Sequence, residues 1–341
     1  MLVSELRELL KKYKEEDLRL LITEMYKSMP KKLREDKDID ALLQDINEYM
    51  RIGKVERPRD RQINVNNLKQ EIDLFIDYAY KQYYFAPNNF VHKKERPKWR
   101  FKVKAYIKDL QGFTVNSAEG SIATDLLQKL YEMLSYACGY YIFNTDNPFQ
   151  SVGIKQAGLL DIVIKRKLGS GISAESVKSV IELVINSEVD RETLHSFLIQ
   201  VLVMNLKYSD SKIITIEQCK ILKKELYKSK PAQSKRLWSL DSSDFKRCEK
   251  INNLVEMIFR INMELCEYDE AIKYFNENYN ERNDEISLYV LLSMLLEYKL
   301  KDLWLREYNQ AMKKGVKPRE ALRKTQKYIL ENDKLPEYFL H

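Results

Sequence analysis

The sequence predicts an all-α protein, and three observations carry that prediction. Apolar residues recur at intervals of three and four along most of the chain. Turn-forming residues are scarce, with 9 glycines and 8 prolines in 341 residues, which argues against the turn-rich all-β folds. Only one segment alternates as a strand would, and no partner strand accompanies it. The architecture expected is a multi-helix array of antiparallel helix pairs, solenoid-like in its C-terminal half. A hydrophobic fraction of 44% and a charged fraction of 32% let such a chain bury a large core without disulfides or metal.

Taken in order, the period places helices at 4–13, 15–28 and 38–51, an N-terminal helical hairpin region spanning 1–51. Residues 52–64 hold few apolar side chains, a Gly, a Pro and mixed charge, and read as a linker or exposed loop. A central helical region, 65–170, follows. Leu68, Ile72, Phe75, Ile76, Ala79 and Tyr83 mark one face of a helix over 66–85. Residues 97–110 are the ambiguous segment. Trp99, Phe101, Val103, Ala105 and Ile107 alternate, yet Trp99, Val103, Tyr106, Ile107 and Leu110 also fit a helix opened by Pro97, which is the reading preferred. Ile122, Leu126, Leu127, Leu130, Leu134, Ala137 and Tyr141 share a face of a helix over 117–143. Asn116 with Glu119, and Thr215 with Gln218, have capping-box spacing. Ser173 and Asp190 read as N-caps, and Gly315 with Pro318 as one helix ending and the next beginning. The remaining helices expected are 150–168, 173–187, 190–207, 215–229, 243–265, 268–279, 284–298, 301–314 and 318–331, with a break at 230–242. The C-terminal helical-pair array is therefore 173–341.

Within that array, Cys266-Glu-Tyr268-Asp-Glu-Ala271-Ile272-Lys-Tyr274-Phe275 resembles the turn and second helix of a tetratricopeptide repeat. The resemblance covers residues 251–279. Ala271 takes the small-residue position and Tyr268 the aromatic before the helix. Phe259 departs from the pattern, where a small residue belongs, and the sequence shows no second copy at a 34-residue period. An ordinary helical hairpin is the competing reading. The N-terminal segments Glu5–Tyr13 and Asp17–Ile22 resemble the two short helices of a SAP motif, a DNA-binding hairpin, but Lys14-Glu15-Glu16 stands where that family has a glycine and a small polar loop. Packing of Leu6, Leu9, Leu10, Leu18, Leu21 and Ile22 into a plain hairpin is the alternative.

Formal charge is +7 and is not evenly spread. Residues 51–110 hold 15 basic and 7 acidic groups, more than the whole excess. Within the basic segment 90–108, Lys93, Lys94, Arg96, Lys98, Trp99, Arg100, Lys102 and Lys104 stand among Phe90, Phe101 and Tyr106. These are the candidate binding residues. Basic groups neutralise phosphates or carboxylates and aromatic faces stack on bases or anchor interfaces. Four readings stand for the segment: a solvated helix face, a dock for an acidic protein, a nucleic-acid site joined by Arg57, Arg59 and Arg61, and a site for a phosphorylated small molecule.

Sites for chemistry are poorly marked. Cys138, Cys219, Cys248 and Cys266 are too far apart for a metal pair and read as buried small hydrophobes in a reducing compartment. The histidines are His92, His195 and His341. No phosphate-binding glycine loop, nucleophile elbow or metal-binding helix motif occurs. Carboxylate pairs at helical spacing, Asp73 with Asp77 and Asp36 with Asp40, occur as chance would give among 51 acidic residues. His195 opens an apolar stretch, and His92 adjoins the basic run. The N-terminus lacks an apolar signal core, and no apolar stretch approaches membrane-spanning length. The expectation is a cytoplasmic, non-catalytic adaptor or regulatory protein without cofactor or metal, outside the membrane, with a protein partner first, nucleic acid second and an enzyme of unrecognised type third.

Overall fold

The computed structural model of the protein describes residues 3–31, 34, 39–46, 64–88, 90–228 and 242–340. Every regular element among them is a helix. None of these helices is long and apolar enough to cross a membrane. The chain divides into two compact units, Met1–Ile63 and Asn64–His341.

The first unit contains α1 (Val3–Leu10), α2 (Glu15–Ser28) and α3 (Ile39–Gln44). Glu15, Glu16 and Asp17 place negative charge on the first turn of α2, where the helix dipole favours it. Tyr26 donates to Asp40 at 2.6 Å and stacks under the Arg34 guanidinium. The hairpin core expected from Leu6, Leu9, Leu10, Leu18, Leu21 and Ile22 does not form: no described side chain of this unit is buried. The short helices enclose too little volume to exclude water from both faces. The expected linker at 52–64, with Arg57, Arg59 and Arg61, lies outside the described residues except for Asn64, and the expected break at 230–242 except for Ser242.

The second unit opens with α4 (Val65–Tyr80), capped by Asn64, whose side chain accepts from the N–H groups of Asn66 and Asn67. The ambiguous segment is helical: a 3₁₀ turn at Arg96–Lys98 leads into α5 (Trp99–Gln111). Next come α6 (Ala118–Gly139), α7 (Pro148–Val152) and α8 (Gln156–Gly169). The C-terminal half holds α9 (Ala174–Ile185), α10 (His195–Asn205), α11 (Ser209–Lys228) and α12 (Ser242–Glu264). It ends with α13 (Tyr268–Asn278), α14 (Asp284–Glu297), α15 (Lys301–Lys313) and α16 (Glu320–Asn332).

Several boundaries differ from the sequence reading. Ser117, not Asn116, caps α6, accepting from Gly120 N–H. Thr215 lies inside α11, its hydroxyl donating to Ser211 O at 2.7 Å, so it caps nothing. Asp190 stays in the loop before α10 and accepts from Glu192 N–H. Gly153, at φ +81, divides the expected helix at 150–168 into α7 and α8. Tyr141 lies beyond the end of α6 and is exposed. Ser173 caps α9 as expected, in a reciprocal box with Ser176. Gly315 takes the left-handed conformation past α15, while the next helix starts two residues after Pro318, behind Arg319.

Helix α6 organises the first half of this unit, with α4, α5, α7 and α8 packed against it. Its approach to the preceding loop depends on Gly120: a Cβ there would stand 1.8 Å from Thr114 O. Arg166 of α8 is buried at this junction and donates to Thr124 Oγ1 and Gly120 O, at 3.1 and 3.3 Å. Helix α12 plays the same part further on, contacted by α10, α11 and α13. Left-handed residues recur at Cys266, Lys299 and Asp333, 33 and 34 residues apart. The first two sit in matching turns: Glu267 N–H donates to Asn262 O, and Leu300 N–H to Leu295 O. Arg260 of α12 is buried and forks onto Glu297 of α14 at 2.9 and 3.0 Å, with Glu256 at 2.8 Å, tying the two hairpins together.

Candidate functional site

The basic segment begins in the turns after α4 and runs along α5. Trp99, Val103, Tyr106, Ile107 and Leu110 form the buried stripe of α5, as its helical period requires. Trp99 is 5% exposed and lies flat on Phe143, with ring centroids 3.9 Å apart and planes 9° apart. It is a core residue and offers no anchor to a partner. Tyr106 donates to Glu71 at 2.7 Å, and burial with that bond pushes its hydroxyl well above the ordinary phenol range.

Of the other seven predicted residues, Lys93, Lys94, Lys98, Arg100, Lys102 and Lys104 are exposed, and Arg96 is half-buried with its Nε donating to Val91 O. Helical geometry separates those on α5. Arg100, Lys104 and Lys108 follow one another at intervals of four along one edge. Lys102 projects from the other edge, towards Glu95. Glu95 bonds Lys98 at 2.6 Å, and this bond, with Lys102 and His92 nearby, holds its carboxyl below the usual range. Among the described residues, Lys93, Lys94, Arg100, Lys102 and Lys104 have no carboxylate within ion-pair distance. His92 accepts from Lys94 N–H at 3.3 Å, which shapes the turn.

Exposed aromatics accompany these cations. Phe90 stacks on Tyr83 at 4.0 Å and meets Tyr78 edge-on at 5.3 Å, yet remains 61% exposed. Phe101 is 60% exposed under the Arg100 guanidinium. The sequence pointed to these aromatics only as neighbours of the charge run; the buried one among them, Trp99, was the one it selected.

A second feature was not legible in the sequence. A cleft of about 530 Å³ opens between α4, α6, α9 and the loop after α9. Tyr131, Ser187 and Glu188 line it; Tyr131 and Ser187 share a hydrogen bond of 2.8 Å, and the fully buried Gln156 behind them donates to Glu188 O at 2.8 Å. Burial pushes the Tyr131 hydroxyl up to about 12. Burial, with Asp190 and Glu188 nearby, pushes the adjacent Cys138 thiol up to about 12 as well. Both groups therefore stay protonated and non-nucleophilic near neutral pH. His195 bonds the Ser187 carbonyl at 2.8 Å, and its other nitrogen lies 3.6 Å from Glu249. The ring engages a backbone carbonyl and no hydroxyl nucleophile, so it orients the loop.

The remaining sequence candidates have occupied or structural roles. Asp77 pairs with Lys81 and Asp73 with Lys129, both at 2.7 Å. Asp36 lies outside the described residues. The four cysteines are free; Cys219 is buried against the Met257 sulfur at 3.4 Å, Cys138 and Cys248 are half-buried, and Cys266 is exposed. No protein-family model, curated protein or solved structure matches the chain. The residues and their geometry carry the functional reading.

Proposed function

We propose that this is a non-catalytic adaptor or regulatory protein of the cell interior that docks another macromolecule on a helical surface. The partner surface is acidic, and it sits on the face formed by residues 90–104. One observation supports this above the others: five exposed cations of this face, Lys93, Lys94, Arg100, Lys102 and Lys104, lack a carboxylate partner. Elsewhere among the described residues of the same unit some exposed cations, such as Lys81, Lys129, Lys246 and Arg319, are paired, and others, such as Lys69, Lys155 and Lys207, are not; the five here stand within twelve consecutive residues. Unpaired cations beside exposed rings offer both the charge that steers an acidic partner and the apolar area that holds it. The recurring left-handed turns at Cys266 and Lys299 support the tetratricopeptide-like, solenoid reading of the C-terminal half, a scaffold that suits an adaptor.

Nucleic acid is the second reading, favoured by the Tyr83–Phe90 stack beside Lys93 and Lys94. Anisotropy titrations of the full chain with labelled poly-glutamate and with mixed-sequence DNA and RNA, at two salt concentrations, test both. Each exposed pairing contributes ~0.2–1 kcal/mol, so an Arg100→Gln, Lys102→Gln, Lys104→Gln variant should weaken poly-glutamate binding about tenfold. Tighter binding of RNA or DNA, lost in Phe90→Ala, would favour the second reading. Absence of binding to any polyanion at low salt overturns both.

A further inference from the structure

We propose that the cleft between α4, α6 and α9 binds an alkylammonium group carried on an aliphatic stem, supplied by a lysine side chain of a peptide or by a free amine. One wall is a run of three tyrosines. Tyr80 meets Tyr136 edge-on at 5.3 Å, and Tyr136 stacks on Tyr140 at 4.4 Å. All three rings remain between 39% and 48% exposed although they line a concavity. Tyr136 lies on α6 four residues after Glu132, and Tyr140, the residue just past the helix end, stacks on it, so this edge presents a carboxylate and two rings in sequence.

Among the described residues, the carboxylates at this end have no cation within ion-pair distance. Glu132 accepts only the neutral Gln128 amide, at 2.7 Å. Glu182, half-buried on α9, has no hydrogen bond or ion pair to its carboxylate. Glu188, at the other end, is different: Lys246 bonds it and lies near Tyr140, and Lys250 bonds Asn186 beside it. The cleft is therefore negative and aromatic at the Tyr80–Glu132–Glu182 end and already neutralised at the Tyr140 end.

That asymmetry defines the ligand. An anion would meet two uncompensated carboxylates. A metal ion needs several converging acidic or imidazole ligands, and the described residues hold no such group. A long polycation would meet Lys246. A single ammonium head satisfies the carboxylates, is attracted to a ring face, and lets its methylenes lie along the tyrosine wall. The volume falls within the ~300–1,000 Å³ range of small-ligand sites.

The test uses the full-length protein and two probes, butylammonium chloride and the capped tripeptide Ac-Ala-Lys-Ala-amide, with binding followed by saturation-transfer NMR and titration. Saturable binding of at least one probe is expected. Glu182→Gln should weaken it about three- to tenfold. Tyr136→Leu should weaken it similarly, whereas Tyr136→Phe, which keeps the ring face, should bind as the parent does. Circular dichroism of each variant confirms that the helices are intact. Equal affinity for both probes identifies the ammonium head alone as the determinant; tighter binding of the tripeptide identifies a peptide source. Two results overturn the proposal: no saturable binding of either probe, or affinities unchanged in folded Glu182→Gln and Tyr136→Leu variants.

Discussion

Trp99→Ala separates the structural role of the basic segment from its proposed binding role. The indole is 5% exposed, and its stacking partner Phe143 is 1% exposed. Truncating a buried aromatic to alanine costs ~3–5 kcal/mol through lost transfer energy and the cavity left behind. A stacked pair adds ~0.5–1.5 kcal/mol beyond area, while partial collapse around α5 returns some of the loss. A destabilisation of about 4 kcal/mol results, a large share of the ~5–15 kcal/mol typical of a folded domain. Urea unfolding followed by far-UV circular dichroism measures it, since removing the indole would alter a fluorescence baseline. Trp99→Phe should lie between parent and alanine variant. Phe101→Ala, at a ring 60% exposed, should move the unfolding midpoint by less than ~0.5 kcal/mol equivalent while weakening poly-glutamate binding. A Trp99→Ala cost below ~1 kcal/mol, or binding lost at undiminished stability, would refute the assignment of this side chain to the core.

Three other perturbations have expected outcomes. Arg260→Ala strands Glu256, whose side chain is only 17% exposed, and should cost ~3 kcal/mol or more in urea unfolding; an Arg260→Met, Glu256→Gln double variant should recover more than half of that. Gly120→Ala should destabilise by ~2 kcal/mol or more despite alanine's better helix propensity, because its Cβ would meet Thr114 O at 1.8 Å; Gly158→Ala, with nothing nearer than 4.0 Å, should be neutral or stabilising in the same assay. The structure should also weaken in alkali. Burial pushes Tyr84, Tyr131, Tyr274 and Tyr279 from 10 to about 12, and Cys138 from 9 to about 12. The unfolded chain releases these protons from about pH 9 to 10 while the folded chain keeps them, so their stabilisation is full below that range and is lost as pH rises towards 12. Urea midpoints should fall across that window, with phenolate absorbance rising at unfolding; midpoints unchanged through it would contradict the burial of these groups.

The helical class was legible because it rests on a repeated local signal. Leu68, Ile72, Phe75 and Ala79 in α4, and the Trp99–Leu110 stripe in α5, are buried as their spacing requires. Boundaries were less legible because several side chains compete for each cap. Asn116 and Ser117 are adjacent candidates, and the closer packing allowed by Gly120 favours Ser117. Thr215 bonds back along its own helix as readily as it would have started one. For the basic face, charge was visible in sequence, but the choice between Trp99 and Phe101 depended on which side of α5 meets α6. The cleft was hidden for a different reason: Tyr80, Glu132, Glu182 and Lys246 come from four helices that only tertiary packing brings together. One local signal existed. Tyr136, with Tyr140 just past the end of α6, falls off its apolar face.

The unpaired cations of α5 and the unpaired carboxylates of α6 and α9 would neutralise one another if the fold allowed contact. Packing forbids it. The buried stripe of α5 faces α6, so Arg100 and Lys104 project away from that interface. Glu132 and Tyr136 occupy an edge of α6 outside its buried face, with Tyr140 just past its end. A layer of Leu, Val and aromatic side chains thus holds opposite charges apart, and solvent screens what remains over distances beyond a Debye length of ~8–10 Å. Two proposed binding surfaces kept separate in this way should act independently. Neutralising Arg100, Lys102 and Lys104 should leave capped-lysine affinity unchanged, and Glu182→Gln should leave poly-glutamate affinity unchanged, each within ~0.5 kcal/mol. A larger cross-effect in either direction would mean that the charged faces communicate through the α5–α6 core.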